Sequence, residues 1–167
     1  MIPFATFKEL AASYSVVPLV RTLVADTLTP VLTYLTLREE GVPSFILESV
    51  EPNEKIGRFS FIGTRPRAVI EARNGSVTVR DASGTTEMHG DLFSVIRSVL
   101  APHTIAPVQE PHGLLGGLVG YIGYNCVRHI ERIPITPAPG DEPDAILGLF
   151  GSVVQFDHHR QDRKSVV

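Results

Sequence analysis

The chain has 167 residues, of which 43% are hydrophobic and 20% are charged, and its formal net charge is −3. This composition is typical of a globular protein. It argues against the basic surface of a nucleic-acid-binding domain, and the apolar runs are too short to span a membrane. Cys126 is the only cysteine and no signal peptide is evident, so we expect a reduced, cytoplasmic setting.

The N-terminal residues predict a short helix followed by an edge strand. Thr6 and Glu9 fit a capping box, which predicts a helix that runs to about Tyr14. Residues 16–24 are apolar and β-branched, which is typical of a strand. Because Pro18 cannot donate to a neighbouring strand, we expect this strand at a sheet edge.

A second helix is predicted to begin at Thr29 and to end at Gly41. Threonine is a good N-cap, and Pro30 at the first helical position loses no hydrogen bond there. We expect its buried face to consist of four residues, Val31, Leu32, Tyr34 and Leu35.

Residues 44–63 predict two antiparallel strands joined by a polar turn. Glu48 and Ser49 lie where the first apolar run ends, so an anion, a hydroxyl and strand-end amides share a small volume. Those groups suit a small zwitterionic ligand, whose ammonium and carboxylate each need a partner. The alternative is an ordinary hairpin whose polar residues face solvent.

The middle of the chain predicts a further hairpin, a helix and a loop. Asn74-Gly75 is a strong turn signal between strands at 68–72 and 76–80, and residues 85–88 predict another strand. Asp91 is predicted to cap a helix with an apolar side. The prolines in residues 101–112 predict a loop, which we interpret as the best candidate for a linker.

Glycines dominate the prediction for the C-terminal part. Residues 113–124 lack the lysine and hydroxyl residue of a phosphate loop, so we expect a strand that another backbone approaches closely. Residues 145–156 predict one long apolar strand, with bulges at Gly148 and Gly151. A charged turn then leads to Val166-Val167, where a partner strand should begin, so we interpret the chain as the N-terminal part of a longer protein.

Antiparallel hairpins with helices between them, without regular βαβ alternation, predict an α+β fold. In it, antiparallel sheets pack face to face and the helices lie at the periphery.

No catalytic residue and no metal site are predicted within this chain. His158 and His159 adjoin Asp157, but neighbouring strand residues point to opposite faces, so they make a poor metal pair. We expect surface or packing roles for the histidines. Cys126 is expected to be a small packing residue, because no base is recognisably paired with it.

Several motifs carry a resemblance to a known family. They are Ile46-Leu47-Glu48-Ser49, Gly57-Arg58-Phe59-Ser60-Phe61-Ile62-Gly63, Thr29-Pro30-Val31 and Gly116-Gly117-Leu118-Val119-Gly120-Tyr121. In this order they resemble the N-terminal half of anthranilate synthase component I, in the superfamily of chorismate-binding enzymes. The resemblance runs through nearly the whole chain and implies two large antiparallel sheets packed together.

In that family, the first two motifs build the feedback site for tryptophan. The resemblance therefore implies tryptophan as an allosteric inhibitor, with contacts from Leu47, Glu48, Ser49, Arg58 and Ser60. Further contacts in the family come from an Asn-Pro-Ser-Pro-Tyr-Met segment that this chain does not contain. Asn125 departs from the aspartate that the family usually has, so any salt bridge of that aspartate is absent.

The family enzyme, a lyase of tryptophan biosynthesis, converts chorismate and ammonia to anthranilate and pyruvate. Its C-terminal half binds chorismate and magnesium, and a glutamine amidotransferase subunit supplies the ammonia. The resemblance implies that residues 1–167 are the N-terminal regulatory and structural domain, inactive alone. We expect it to form a homo-oligomer, because a truncated sheet exposes strand edges. The alternatives are aminodeoxychorismate synthase component I of the folate pathway and a non-enzymatic amino-acid-binding module.

Overall fold

The computed structural model describes residues 2–24, 27–48, 59–107, 113–131, 142–158 and 163–166. The helices are α1 (Phe4–Ala11), α2 (Pro30–Leu37), α3 (Leu92–Leu100) and a 3₁₀ helix (Tyr124–His129). The strands are β1 (Val20–Leu23), β2 (Phe45–Glu48), β3 (Phe59–Gly63), β4 (Ala68–Arg73), β5 (Ser76–Asp81), β6 (Gly84–Met88), β7 (Gly117–Ile122), β8 (Ala145–Phe150), β9 (Val153–Asp157) and β10 (Arg163–Val166).

The strands form two five-stranded sheets in which every pair is antiparallel. The first sheet has the order β1-β10-β9-β3-β2, and the second has the order β6-β5-β4-β8-β7. Phe45 of the first sheet and Phe150 of the second pack edge to face, with ring centroids 4.8 Å apart. The predicted α+β class with antiparallel sheets is confirmed.

The second sheet carries the main core, against which α3 packs. Ile70 and Leu92 are fully buried there, and Cys126 is a buried member of the same cluster. The Asp91 carboxylate accepts hydrogen bonds from the backbone N–H groups of Phe93 and Ser94, so the predicted cap of α3 is confirmed. Cys126 is the packing residue that the sequence predicted.

One turn and one close approach also follow the prediction. Asn74 and Gly75 both have positive φ, at 51° and 84°, as the tight turn between β4 and β5 requires. Gly120 of β7 lies against the backbone of β8, where a Cβ atom would collide with the carbonyl oxygen of Ile146. The predicted reason for a glycine in β7 is therefore confirmed.

The prediction of one long strand over residues 145–156 is wrong. The chain leaves the second sheet after Phe150 and enters the first at Val153, so Gly151 lies in the crossing and not in a bulge. Gly148 is not a bulge either, because it keeps regular register opposite Val69. Both strands are apolar, and hydrophobic pattern alone does not reveal a change of sheet.

The predicted start of the first helix is also wrong. Helix α1 begins at Phe4, two residues before Thr6, and Pro3 is its N-cap without a side-chain hydrogen bond. The Phe7 N–H donates to the carbonyl oxygen of Pro3, which closes the first turn without the capping box. The strand that follows is shorter than predicted, but β1 does lie at a sheet edge.

In α2 the predicted cap is confirmed, whereas the predicted buried face is correct only for Tyr34 and wrong for the other three residues. Thr29 Oγ1 accepts a hydrogen bond of 3.1 Å from the N–H of Leu32. The side chains of Val31 and Leu35 are half exposed, as is that of Leu32. The side that faces the protein includes Tyr34, whose hydroxyl lies 3.1 Å from Ser44 Oγ. The helix meets β2 and β3 with this more polar side.

The predicted linker is tied to the N-terminal segment over its described part, residues 101–107. The Val16 N–H donates to the carbonyl oxygen of Thr104, and the Ala106 N–H donates to that of Val16. Residues 108–112 lie outside the described part of the chain. Because backbone hydrogen bonds fix its course, residues 101–107 are a structural connection and not a free linker.

Candidate functional site

The candidate site lies at the end of β2, one of the two edge strands of the first sheet as the described residues define it. In the β2–β3 register, Glu48 stands directly opposite Ser60. Opposite residues of an antiparallel pair project from the same face, close enough for their side chains to interact. Two residues that are twelve apart in sequence are thereby brought to one place.

A third side chain comes from β9, which pairs with β3 on its other side. Ser60 stands opposite Phe156, and His158 follows two residues later, so strand alternation directs it to the same face. The Ser60 hydroxyl lies 2.7 Å from His158 Nε2 and 3.5 Å from Glu48 Oε1. We call Glu48, Ser60 and His158 the polar cluster.

The polar cluster combines a buried hydroxyl with two accessible charged or chargeable groups. Ser60 is only 1% exposed, whereas Glu48 and His158 are exposed. When His158 Nε2 carries a proton it donates to Ser60 Oγ, whose own proton is then directed to Glu48. The serine thus lies between the carboxylate and the imidazole, with the shorter contact to the imidazole.

Chemically, the polar cluster can bind the ammonium of a small ligand. Glu48 supplies an exposed carboxylate at the last residue of β2, an edge strand. Charge-assisted hydrogen bonds of this kind are about twice as strong as neutral ones. Among the described residues, no group of three or more histidine, cysteine, aspartate or glutamate side chains could hold a metal ion.

The structure places the predicted site residues differently. Glu48 and Ser60 come together, whereas Leu47 stands opposite Phe61 and therefore points to the other face of the sheet. Ser49 and Arg58 lie outside the described residues, so their part in the site stays a prediction.

His158 is the residue that sequence reasoning missed, because it was assigned a surface or packing role. Its contact with Ser60 bridges 98 positions in the sequence and exists because β9 pairs with β3. Residues 145–156 were interpreted as a single strand, so this pairing was not foreseen. An asparagine or serine in place of the histidine would have looked the same in the hydrophobic pattern, and no local signal marks the residue.

Comparisons with known proteins identify relatives of the whole segment. The chain is 37% identical over 170 residues to anthranilate synthase alpha subunit 2, chloroplastic, of Arabidopsis thaliana, covering 93% of this chain and 27% of that protein. It is 38% identical over 160 residues to anthranilate synthase component 1 of Synechocystis, covering 92% of this chain and 31% of that protein. No protein-family profile matches the sequence.

A solved structure shows the same fold. Anthranilate synthase component I from Streptococcus pneumoniae TIGR4 superposes with a TM-score of 0.50 and 23% sequence identity, over 86% of this chain and 30% of that chain. The fold is therefore an α+β domain of the type that this anthranilate synthase subunit contains. By sequence, the chain belongs to the anthranilate synthase component I family. It spans about three-tenths of the length of the curated relatives it matches.

Proposed function

We propose that this chain is the N-terminal, regulatory part of an anthranilate synthase component I and that tryptophan binds at the polar cluster as an allosteric inhibitor. The observation that carries this proposal is the register of β2 and β3, which sets Glu48 beside the buried hydroxyl of Ser60. The names of the relatives support anthranilate synthase over aminodeoxychorismate synthase.

The proposed roles follow from the chemistry of an amino acid. Glu48 binds the ammonium group, and the Ser60 hydroxyl lies within 3.5 Å of that carboxylate and can donate to it. Ser49 and Arg58, carried over from the family motif, bind the polar end of the ligand, with Arg58 suited to its carboxylate. Leu47 points to the other face of the sheet, so we propose no direct contact between Leu47 and the ligand.

In the complete enzyme that we propose, the chemistry takes place outside this chain. Chorismate and Mg²⁺ are bound by a C-terminal half, and a glutamine amidotransferase subunit supplies ammonia for the conversion to anthranilate and pyruvate. We propose a cytoplasmic enzyme. No helix in the described part of the chain is long and apolar enough to cross a membrane. The 167 residues alone are expected to leave chorismate unchanged.

The proposal is tested by calorimetric titration of tryptophan into a complete component I that contains this segment. Glu48→Gln removes the charge and keeps the side-chain shape, so affinity should fall about tenfold or more. Glu87→Gln is the matched control, because Glu87 is an exposed strand residue of β6 in the other sheet. Equal affinity in the wild type and both variants would refute the assignment of the site.

A further inference from the structure

A cavity lies apart from the polar cluster. Its volume is about 500 Å³, and it opens between the N-terminal segment, the end of α3 and the crossing from β8 to β9. Its apolar walls include Val16, Pro18, Ile105, Leu115, Leu149 and Phe150. The volume falls within the range of small-molecule sites, about 300–1,000 Å³.

Hydrogen bonds hold the walls of this cavity in place. Ser15 Oγ donates to the carbonyl oxygen of Pro102 at 2.7 Å, and the Ala106 N–H donates to that of Val16 at 2.8 Å. Gly116 lies so close to β8 that a Cβ atom there would be 2.7 Å from the carbonyl oxygen of Phe150. A ligand would therefore meet a largely preformed site and would not have to order its walls.

Among the described lining residues, Ser15 contributes a neutral hydroxyl and the other polar side chains are basic. Arg67 and His103 line it, and no aspartate or glutamate is among its described lining residues. Within the described part of the chain, no carboxylate oxygen lies within 4.0 Å of a side-chain nitrogen of Arg67. Arg67 also borders a shallow groove that contains Asp81, but the Asp81 carboxylate accepts from the N–H and the hydroxyl of Ser83.

Gly151 leaves room for the side chain of Arg67 at the edge of the cavity. A Cβ atom at Gly151 would lie 3.1 Å from Nε of Arg67, so the side chain passes closely over this position. The backbone N–H of Arg67 donates to the carbonyl oxygen of Leu149 at 2.7 Å, which fixes the start of the side chain. The side chain of Arg67 therefore lies along the crossing from β8 to β9, at the edge of the apolar cavity.

We propose that this cavity binds a small organic anion with an apolar body, of the arylalkyl carboxylate class. The carboxylate pairs with Arg67, assisted by His103, and the hydrocarbon body contacts the apolar walls. An amino acid is disfavoured, because none of the described lining residues is acidic and able to receive its ammonium. The cavity would thus bind a different ligand from the proposed tryptophan site. This inference does not depend on the proposed function.

Three related probes test this specificity by NMR titration of the isotope-labelled 167-residue chain. 3-Phenylpropionate should give saturable shifts at Val16, Ile105 and Leu149. Phenylalanine, which adds an ammonium, and 3-phenylpropan-1-ol, which lacks the charge, should bind about tenfold more weakly or worse. Non-saturable shifts with 3-phenylpropionate, or equal binding of all three probes, would overturn the proposal.

Matched variants locate the anion contact. Arg67→Gln should weaken 3-phenylpropionate binding about tenfold, and Arg67→Lys should retain most of it because the charge remains. Arg80→Gln makes the same charge change on the neighbouring groove, outside the cavity, and should bind like the wild type. Undiminished binding by a folded Arg67→Gln, or equal loss in Arg80→Gln, would contradict the assignment.

Discussion

The Ser60 hydroxyl oxygen lies 2.7 Å from Nε2 of His158, although the two residues are 98 positions apart. The contact exists because β3 is paired on one side with β2, which carries Glu48, and on the other with β9, which leads to His158. A central buried serine therefore connects two accessible groups from its neighbouring strands. If tryptophan binds here, Ser60 is expected to act on the ligand through Glu48.

The first prediction concerns this contact. Ser60→Ala removes the hydroxyl, so the imidazole of His158 loses its partner and its ring resonances should move. The ring signals of His89, which is exposed directly after β6 of the other sheet, should stay in place. Long-range ¹H–¹⁵N spectra of the labelled chain measure both. Unchanged His158 signals in the variant would show that the contact is absent in solution.

The second prediction concerns the cap of α3. The pKa of Asp91 is held below its ordinary value of 3.8, chiefly by the hydrogen bond from the Ser94 hydroxyl and then by the backbone N–H of Ser94. A lowered pKa means that the capping carboxylate stabilises the fold above that ordinary value, and that this contribution is lost as the pH falls through the folded-state pKa.

Thermal unfolding of the wild type and of Asp91→Ala checks the direction of this pH dependence. Asp91→Ala should melt at a lower temperature than the wild type near about pH 6. This difference in melting temperature should become smaller as the pH falls below about 3.8. Asp91→Asn should melt close to the wild type near neutral pH, because asparagine caps helices nearly as well. A gap between wild type and Asp91→Ala that widens in acid would contradict the assignment.

The third prediction concerns the approach of β7 to β8. In Gly120→Ala the new methyl group would overlap the carbonyl oxygen of Ile146, and relief requires the paired backbones to separate. We expect a loss of about 1–3 kcal/mol or more in the free energy of unfolding, measured with urea. Thr86→Ala, at an exposed position of the edge strand β6, should change it by about 0.5 kcal/mol or less.

The fourth prediction concerns self-association. Strands β1, β2, β6 and β7 are at the ends of their sheets, and such edges can pair with another chain. Helix α2 adds half-exposed Val31 and Leu35. We expect the 167-residue chain to form dimers or larger species, and Val31→Lys with Leu35→Lys to weaken them. Sedimentation velocity that shows only monomer at high concentration would refute this expectation.

Local signals were sufficient for most elements of the fold. Thr29 and Asp91 mark real helix starts, and Asn74-Gly75 marks a real hairpin, because each depends on hydrogen bonds or φ angles of adjacent residues. The failures involve tertiary structure. The hydrophobic pattern does not show that the chain changes sheet at Gly151, nor that α2 turns Val31 toward solvent.

For the candidate site, too, the sequence predicts local features and does not predict how the strands pair. The motif placed Glu48 and Ser60 on adjacent strands, and the register brings them together. The positions of Leu47 and His158 follow only from the pairing of the strands. Strand alternation places Leu47 on the other face of the sheet, and the pairing of β9 with β3 brings His158 to Ser60. The cavity beside Arg67 depends on contacts between residues 15–18 and 102–106, which no local sequence pattern encodes.

The central claim is that this segment carries the tryptophan site of an anthranilate synthase component I. The most direct measurement is the inhibition by tryptophan of anthranilate formation in a complete enzyme that contains it. Ser49→Leu should raise the tryptophan concentration for half-inhibition by about one to two orders of magnitude and leave turnover nearly intact. Ser13→Leu, an exposed serine after α1, should behave like the wild type. Equal sensitivity to tryptophan in wild type and Ser49→Leu would contradict the account.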